Sequence, residues 1–452
     1  MAKPKGWWTT HPTILTVTVA GCWDSNGDGI GDFEGIRRHL DELIDMGISG
    51  LRFQHVTRFG GDFEWFGLVA QDWFDVDPVY GTMADFDRLV ADCRARDFAI
   101  MVMAVPEYLG WRHPDYLAAR DARAAGREDP RIGWFGWEDD GSVALTWSHP
   151  GPDLANPAYV DAYLKHVAFW MDKGISGWDV DAPSTWRNLN VGALRAITGA
   201  VRERGGFVTS ENRTLEHDMI RQGRFNAGTG IRRTQLYNEL AAMLAGDADY
   251  IRRGMARRRQ LIEAGMFPFQ QFGDEMYEQY SGKNLPWKLQ MFRLQVAFNA
   301  ALPDQVWAFA NAIAFPTEPL QPLPSLNCVC WGQLDLPEIE RQQADPHSPF
   351  GFFKRMMALR GREKALAIGH MRELPTDRRG PVFAALRTSE DGTERAVTVF
   401  NFSAQPCRVD VTLGEGIVAL RNYVSDEVVR PKDGILTADL GRFGFKLFRV
   451  IE

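Results

Sequence analysis

Two groups of side chains stand out by type and spacing. The stretch "CWDSNGDGIGDF" (22–33) sets Asp24, Asn26, Asp28 and Asp32 around Gly27, Gly29 and Gly31. Alternating carboxylate and amide oxygens, with glycine allowing a tight reversal, make a set of hard ligands for a hard cation. A calcium switch, a structural metal clip and a plain polar turn all fit this pattern. The second group is acidic and closes apolar runs: Asp179 and Asp181 in "GISGWDVDA", Glu211 in "GFVTSE", and Asp274 just after "GMFPFQQF". Carboxyls gathered in one pocket can act as nucleophile, acid or base, once their surroundings set their charge. Asp179 and Asp181 are two apart, so on a strand they share a face and resist joint ionisation. Such a pocket shares protons, binds a cation or welcomes a cationic ligand; the alternative is an Asp179 that points away and has no role.

The elements that must position these groups alternate along the chain. "TILTVTVAG" (13–21) reads as a strand, and "FEGIRRHLDELIDMG" carries a helical stripe at Ile36, Leu40, Leu43 and Ile44. The strands "ISGLRFQHV" and "FAIMVMAVP" flank the helix "MADFDRLVADCRARD". After a polar, aromatic stretch from about Tyr108 to Asn156, alternation resumes through "PAYVDAYLKHVAFWMDKG", "ISGWDVDA", "VGALRAITGAVRERG" and "GFVTSE". "RFNAG", "GMFPFQQF" and "DQVWAFANA" are weaker later strands. About eight βα units imply a parallel sheet closed into a (β/α)8 TIM barrel. An open doubly wound sheet is the alternative, but no Gly-rich dinucleotide turn follows the first strand. From residue 378 strand follows strand, which reads as an antiparallel β-sandwich. The expected domains are a barrel over 1–107 and 157–377, an inserted domain B over 108–156, and a sandwich over 378–452.

Composition narrows the class. Of 452 residues 45% are hydrophobic and 24% charged, as in soluble globular proteins, and the formal charge of −8 leaves no general footprint for nucleic acid or anionic membrane. The arginine run "RRGMARRRQ" (252–260) lacks the interleaved aromatics of a nucleic-acid surface and reads as a solvated helix face. Neither a signal-peptide core nor an apolar run of membrane length is seen, and five scattered cysteines suit free thiols. The expectation is a cytoplasmic protein without nucleic-acid or membrane partners; the oligomeric state is open.

Longer motifs now carry a resemblance. "DSNGDGIGDFEGI", "DVDPVYGTMADFDRLV", "GPDLANPAYV", "GISGWDVDA" and "MMALRGREKAL" followed by "TVFNFS" occur in an order similar to the α-amylase family of glycoside hydrolases, particularly its α-glucosidase and oligo-1,6-glucosidase branch. The resemblance implies a retaining mechanism, with two carboxyls roughly 5 Å apart across the scissile bond. Asp181 matches the family nucleophile, Glu211 the general acid/base, and Asp274 the third acid that orients sugar hydroxyls. It also implies one structural Ca2+ (Mg2+ is the alternative) held by Asp24, Asn26, Asp28, Asp32 and the Ile30 carbonyl. The loop lacks the Glu at position twelve of an EF-hand, so a switch is not expected.

The rest of the family's sugar-holding set departs from the pattern. Leu68 and Val69 stand where the family has Tyr-Asp, Met103 where it has Asp, and Glu107-Tyr108 where it has Asn-His. Asp179 replaces an arginine, Phe272-Gly273-Asp274 replaces Asn-His-Asp, and Ala310-Asn311-Ala312 replaces Gly-Asp-Glu. Asp179, Glu107, Tyr108, His55 and Phe272 are therefore the expected substrate-binding residues of a remodelled pocket. The expected function is a retaining α-glycosidase or transglycosidase acting on an atypical α-glycoside, an amino, deoxy or carba sugar included. The alternatives are a non-catalytic amylase-like binding protein, or an isomerase or lyase using the same acids. Trp134, Trp137 and Trp147 of the insert are candidate platforms for an aglycone, each as able to serve as packing.

Overall fold

The structure is a computed structural model and describes residues 6–59, 68–181, 190–210, 223–231, 246–263, 267–272, 287–310, 313–315, 320–323, 330 and 332–451. Eight strands form one parallel sheet: β1 (Thr13–Val17), β2 (Gly50–Phe53), β3 (Ala99–Ala104), β4 (Gly177–Val180), β5 (Phe207–Ser210), β6 (Ala227–Ile231), β7 (Phe267–Phe272) and β8 (Gln305–Phe309). Their spatial order is β6-β7-β8-β1-β2-β3-β4-β5, so sequential strands are neighbours and β8 pairs with β1. The ring closes where the Asn226 N–H donates to the Val208 carbonyl, 2.9 Å, and the Asn226 side-chain oxygen accepts from the Val208 N–H, 2.8 Å. All eight expected strands are present, as a closed barrel.

Local chemistry explains the intervening helices. Helices α1 (Phe33–Arg38) and α2 (Leu40–Asp45) replace the single expected helix, interrupted at His39, whose ring stacks on Trp23 with centroids 4.2 Å apart. Thr82 and Asp85 form a reciprocal capping box at the start of α3 (Met83–Ala95). The insert contributes α4 (Pro114–Ala124). Helix α5 (Pro157–Lys173) starts on an Asn156 cap with proline in the first turn and stops at Gly174, whose φ of 110° needs glycine. Helix α6 (Val191–Glu203) is likewise capped by Asn190. Farther along come α7 (Asp249–Glu263), α8 (Lys288–Ala300), α9 (Leu336–Gln343) and α10 (Pro349–Arg362).

Strand register decides what lines the barrel, because paired residues of parallel neighbours point the same way. Ile14, Ala99, Met101, Phe207, Ala227, Phe267 and Trp307 share an apolar cluster with Trp8 that plugs one end. Polar side chains begin there: Arg52 is level with Met101, and Asp179 lies one layer higher, between Met103 and Thr209.

The C-terminal sheet starts earlier than expected. Strand β9 (Gly369–Glu373) already pairs with β10 (Val382–Ser389), so the boundary lies between α10 and Gly369, not at residue 378. The sheet continues through β11 (Arg395–Asn401), while β12 (Cys407–Thr412) pairs separately with β15 (Ile435–Leu440). Strands β13 (Leu420–Asn422), β14 (Val428–Val429) and β16 (Phe445–Val450) complete the larger sheet. Val382, Val397, Val399, Val409, Val411 and Leu436 fill the space between the two sheets, the expected sandwich. Arg360 of α10, fully buried, donates to the carbonyls of Ala300, Leu302 and Leu366, and Arg387 of β10 to that of Ala367, tying barrel to sandwich. Cys22, Cys93 and Cys407 are free thiols, and Cys328 lies outside the described residues. Among the described residues no helix is long and apolar enough to cross a membrane.

Candidate active site

Asp181 follows the last residue of β4, and its N–H continues the ladder to the Ala104 carbonyl at 2.9 Å. It is half-buried, whereas Val180 and Asp179 below it are fully buried. That is the place a catalytic carboxylate needs: at the carboxyl end of a barrel strand, open on one side. Glu211 is the residue after Ser210, where β5 ends, and Asp274 comes two residues after β7; both lie outside the described residues. Phe272 ends β7.

The crowding of like charges expected around Asp179 does not occur in that form. Arg52, reaching from β2, places Nη2 2.5 Å from Asp179 Oδ2, and both side chains are 0% exposed. Arg52 also donates to the Gln54 side-chain oxygen at 3.3 Å and lies 5.9 Å from the centre of the Trp307 ring. A buried carboxylate without a cation would be forced toward protonation; with a guanidinium at hydrogen-bond distance it stays charged. Asp179 is thus part of the floor beneath Asp181, not a group presented to a ligand. The sequence signal for Arg52 was an arginine in the middle of an otherwise apolar strand run, two residues from Gln54.

The other expected substrate-binding residues are buried too. His55 is 6% exposed, has the Thr57 hydroxyl 2.9 Å from Nε2, and is pushed down to about 4 by burial. Glu107 is 3% exposed; after burial itself, its negative charge helps raise Tyr163 of α5, which places it on the α5 side of β3. Tyr108 joins Leu68, Val69, Met103 and Val105 in one buried apolar cluster at the exit of β3. The positions expected to depart from the family pattern at 68, 69, 103 and 108 therefore pack against one another. Hydrocarbon stands on that side of the mouth.

The insert sits over this cluster. Residues 145–146 and 149–150 form a hairpin, and the Leu109 N–H donates to the Pro150 carbonyl at 3.0 Å. Of the three candidate platforms, Trp134 is buried edge-on against Tyr159. Trp137 is half-buried, donates to the Ile132 carbonyl and carries Arg123 over its face at 4.9 Å. Both serve as packing. Trp147, at the hairpin turn, is 40% exposed.

In the 22–33 loop the oxygens serve the loop's own backbone. Asp24 accepts from the N–H groups of Asn26, Gly27 and Gly29, Asn26 from that of Asp28, and Asp28 from that of Ile30. These bonds hold Asp24 below the usual carboxylate range, although burial opposes them. Asp32 is committed on both oxygens, one capping α1 through the Gly35 N–H and the other accepting from the Ser25 N–H and hydroxyl. Among the described residues no three carboxylates, imidazoles or thiols converge as a metal would require. The donor chemistry of Asp24, Asn26, Asp28, Asp32 and the Ile30 carbonyl fits a hard cation, since all are hard oxygen donors.

The alpha amylase catalytic-domain family matches residues 21–153. A probable α-glucosidase of Rhizobium meliloti is 27% identical over 209 residues, which cover 40% of this chain and 37% of that protein. Maltase 1 of Drosophila virilis is 27% identical over 208 residues, 39% of this chain and 32% of that protein. An amino acid transporter heavy chain of Rattus norvegicus is 25% identical over 207 residues, 40% of this chain and 30% of that protein. The matches span about a third of the length of these relatives. Among solved structures, Eubacterium rectale Amy13B superposes with a TM-score of 0.78 at 18% identity, covering 99% of this chain and 97% of that one. The trehalulose synthase MutB from Pseudomonas mesoacidophila MX-45 gives 0.78 at 17% identity, covering 99% and 100%. At such identities these two speak for the fold, a barrel with a C-terminal sheet, while the family match and the curated relatives speak for descent. The chain is similar to the α-amylase family of glycoside hydrolases over residues 21–153, on a fold it shares along nearly its whole length.

Proposed function

We propose that this chain is a retaining α-glycosidase or transglycosidase of the α-glucosidase type. The observation that carries the reading is Asp181, half-buried at the carboxyl end of β4 in a closed barrel above a charge-balanced floor. In this mechanism Asp181 attacks the anomeric carbon and the glycosidic bond breaks as Glu211 protonates the leaving oxygen. Glu211 then takes a proton from water, or from an acceptor hydroxyl, which releases the sugar from Asp181. Asp274 holds ring hydroxyls. The buried apolar cluster of Leu68, Val69, Met103, Val105 and Tyr108 supports an atypical donor ring, one that presents fewer hydroxyls on that side.

The same cluster also favours a second reading, an amylase-like barrel that binds without turnover, because it puts hydrocarbon where the family pattern has polar groups. One of the curated relatives is named as a transporter heavy chain. A panel of aryl α-glycosides, unmodified, amino and deoxy, assayed with wild type, Asp181→Ala and Glu211→Gln, separates the two. Release by wild type and loss of at least about a thousandfold in both variants is expected; equal rates in all three proteins would sink the mechanism. Turnover by none, together with calorimetric binding of a glycan, would establish the second reading.

The loop at 22–33 is proposed to hold one structural Ca2+ through Asp24, Asn26, Asp28, Asp32 and the Ile30 carbonyl, with Asp32 also capping α1.

A further inference from the structure

We infer that Arg52 is a positioning residue that keeps the Asp181 carboxylate ionised, acting from a different strand and through the buried charge of Asp179. This rests on the reading of Asp181 as nucleophile. Asp179 and Asp181 lie on one face of β4 and its extension, about 6.6 Å apart along the strand. Two anions at that spacing, the lower one fully buried, raise each other's proton affinity. The guanidinium of Arg52 cancels the lower one: its Nη2 is 2.5 Å from Asp179 Oδ2 with neither side chain exposed. Arg52 is fixed from two further sides, by the side-chain oxygen of Gln54 at 3.3 Å and by the Trp307 ring at 5.9 Å.

Among the described barrel residues whose side chains turn inward (Ile14, Thr16, Gln54, Met101, Met103, Asp179, Asp181, Phe207, Thr209, Gln305, Trp307 and Phe309), Arg52 is the one positive charge. Among the described residues at the neighbouring strand exits, the titratable groups are His55 after β2, held neutral by burial, and Glu107 and Tyr108 after β3; Glu211 and Asp274, which follow β5 and β7 in the sequence, lie outside the described residues. The order of layers also matters. Arg52 starts one layer below Asp179, level with Met101, and reaches upward, so its charge lies under Asp181 and out of a ligand's reach.

The test reads Asp181 itself. With 13Cγ-labelled aspartate, and Asp181→Asn used to assign the resonance, the Asp181 titration is followed by NMR in wild type and four variants. Arg52→Met should raise its midpoint by about one unit or more, and Arg52→Lys should leave it near wild type. Asp179→Asn, which leaves the guanidinium uncompensated, should lower it. Arg52→Met with Asp179→Asn, which removes both charges, should bring it back toward wild type. For the active enzyme, the acid limb of kcat/KM against pH should move in the same directions. A purely structural ion pair would lower thermal stability in these variants and leave the midpoint in place, and that result would overturn the inference. Should Arg52→Met not fold, the Asp179→Asn shift and the double variant decide it: no shift in the former refutes the idea. The readout is independent of turnover, so an enzyme found inactive on every glycoside would refute the glycosidase reading and leave this measurement standing.

Discussion

Tyr108 lies nearly parallel to His149, ring centroids 5.6 Å apart and planes 29° from coplanar. This contact seats the insert hairpin on the exit of β3, where Tyr108 was expected to bind substrate. Tyr108 is also a wall of the apolar cluster with Met103 and Val105. Tyr108→Ala should therefore cost about 3 kcal/mol through the cavity it leaves and loosen the hairpin. Urea denaturation measures the first, and limited proteolysis between residues 136 and 150 the second. Unchanged protection of the hairpin would show that the stacking is incidental.

Three buried histidines make the fold acid-sensitive. His55 and His113 are pushed down to about 4 and His166 to about 3, in each case first by burial. Their unfolded values lie near 6.5, so between about pH 6.5 and 4 the unfolded chain binds more protons than the native one. Stability rises with pH through that window and is lost as pH falls. Each histidine contributes a slope of up to about 1.4 kcal/mol per pH unit. Denaturant melts at pH 7, 6, 5 and 4.5 should show the decline, and His166→Gln should flatten it by about one proton. A flat profile across the window contradicts the buried neutral state.

The turn that presents Trp147 is strained. Trp147 and Ser148 have φ of 50° and 67° between the paired residues Thr146 and His149, a geometry that two-residue hairpins normally give to Asn-Gly. Replacing Trp147 with Asn and Ser148 with Gly should stabilise the protein by about 1 kcal/mol. If the exposed ring serves as an aglycone platform, the same double variant should raise KM for aryl glycosides with little change in kcat. A higher Tm with unaltered KM would leave Trp147 a surface residue.

The loop at 22–33 predicts two separable effects. Added Ca2+ should raise Tm of wild type, and saturation at about a hundredfold over Kd corresponds to roughly 2.7 kcal/mol. Asp28→Ala should abolish that gain. Asp32→Ala should cost about 1 kcal/mol even in the absence of the ion, because it removes the cap of α1. Identical melting curves with calcium and with chelator would remove the ion from the reading.

Sequence by itself determined the barrel, the insert and the sandwich. Burial periodicity and strand–helix alternation are local properties: "FAIMVMAVP" is wholly apolar because a parallel strand is covered on both faces, and β3 is buried at every residue. It also placed Asp181 at a strand end. Tertiary structure alone decided the charge of the floor and the filling of the mouth. Arg52 and Asp179 are 127 residues apart, and nothing local announces that two staves of a closed ring bring them within hydrogen-bond distance. Leu68, Val69, Met103 and Tyr108 looked like four separate losses of polar groups, and folding turned them into one packed cluster. Asp32 reads as an ion ligand by its spacing, and folding adds a second duty that spacing does not show, the cap of α1. Spacing reports which side chains share a face; which partner neutralises or covers them depends on closure of the chain in three dimensions.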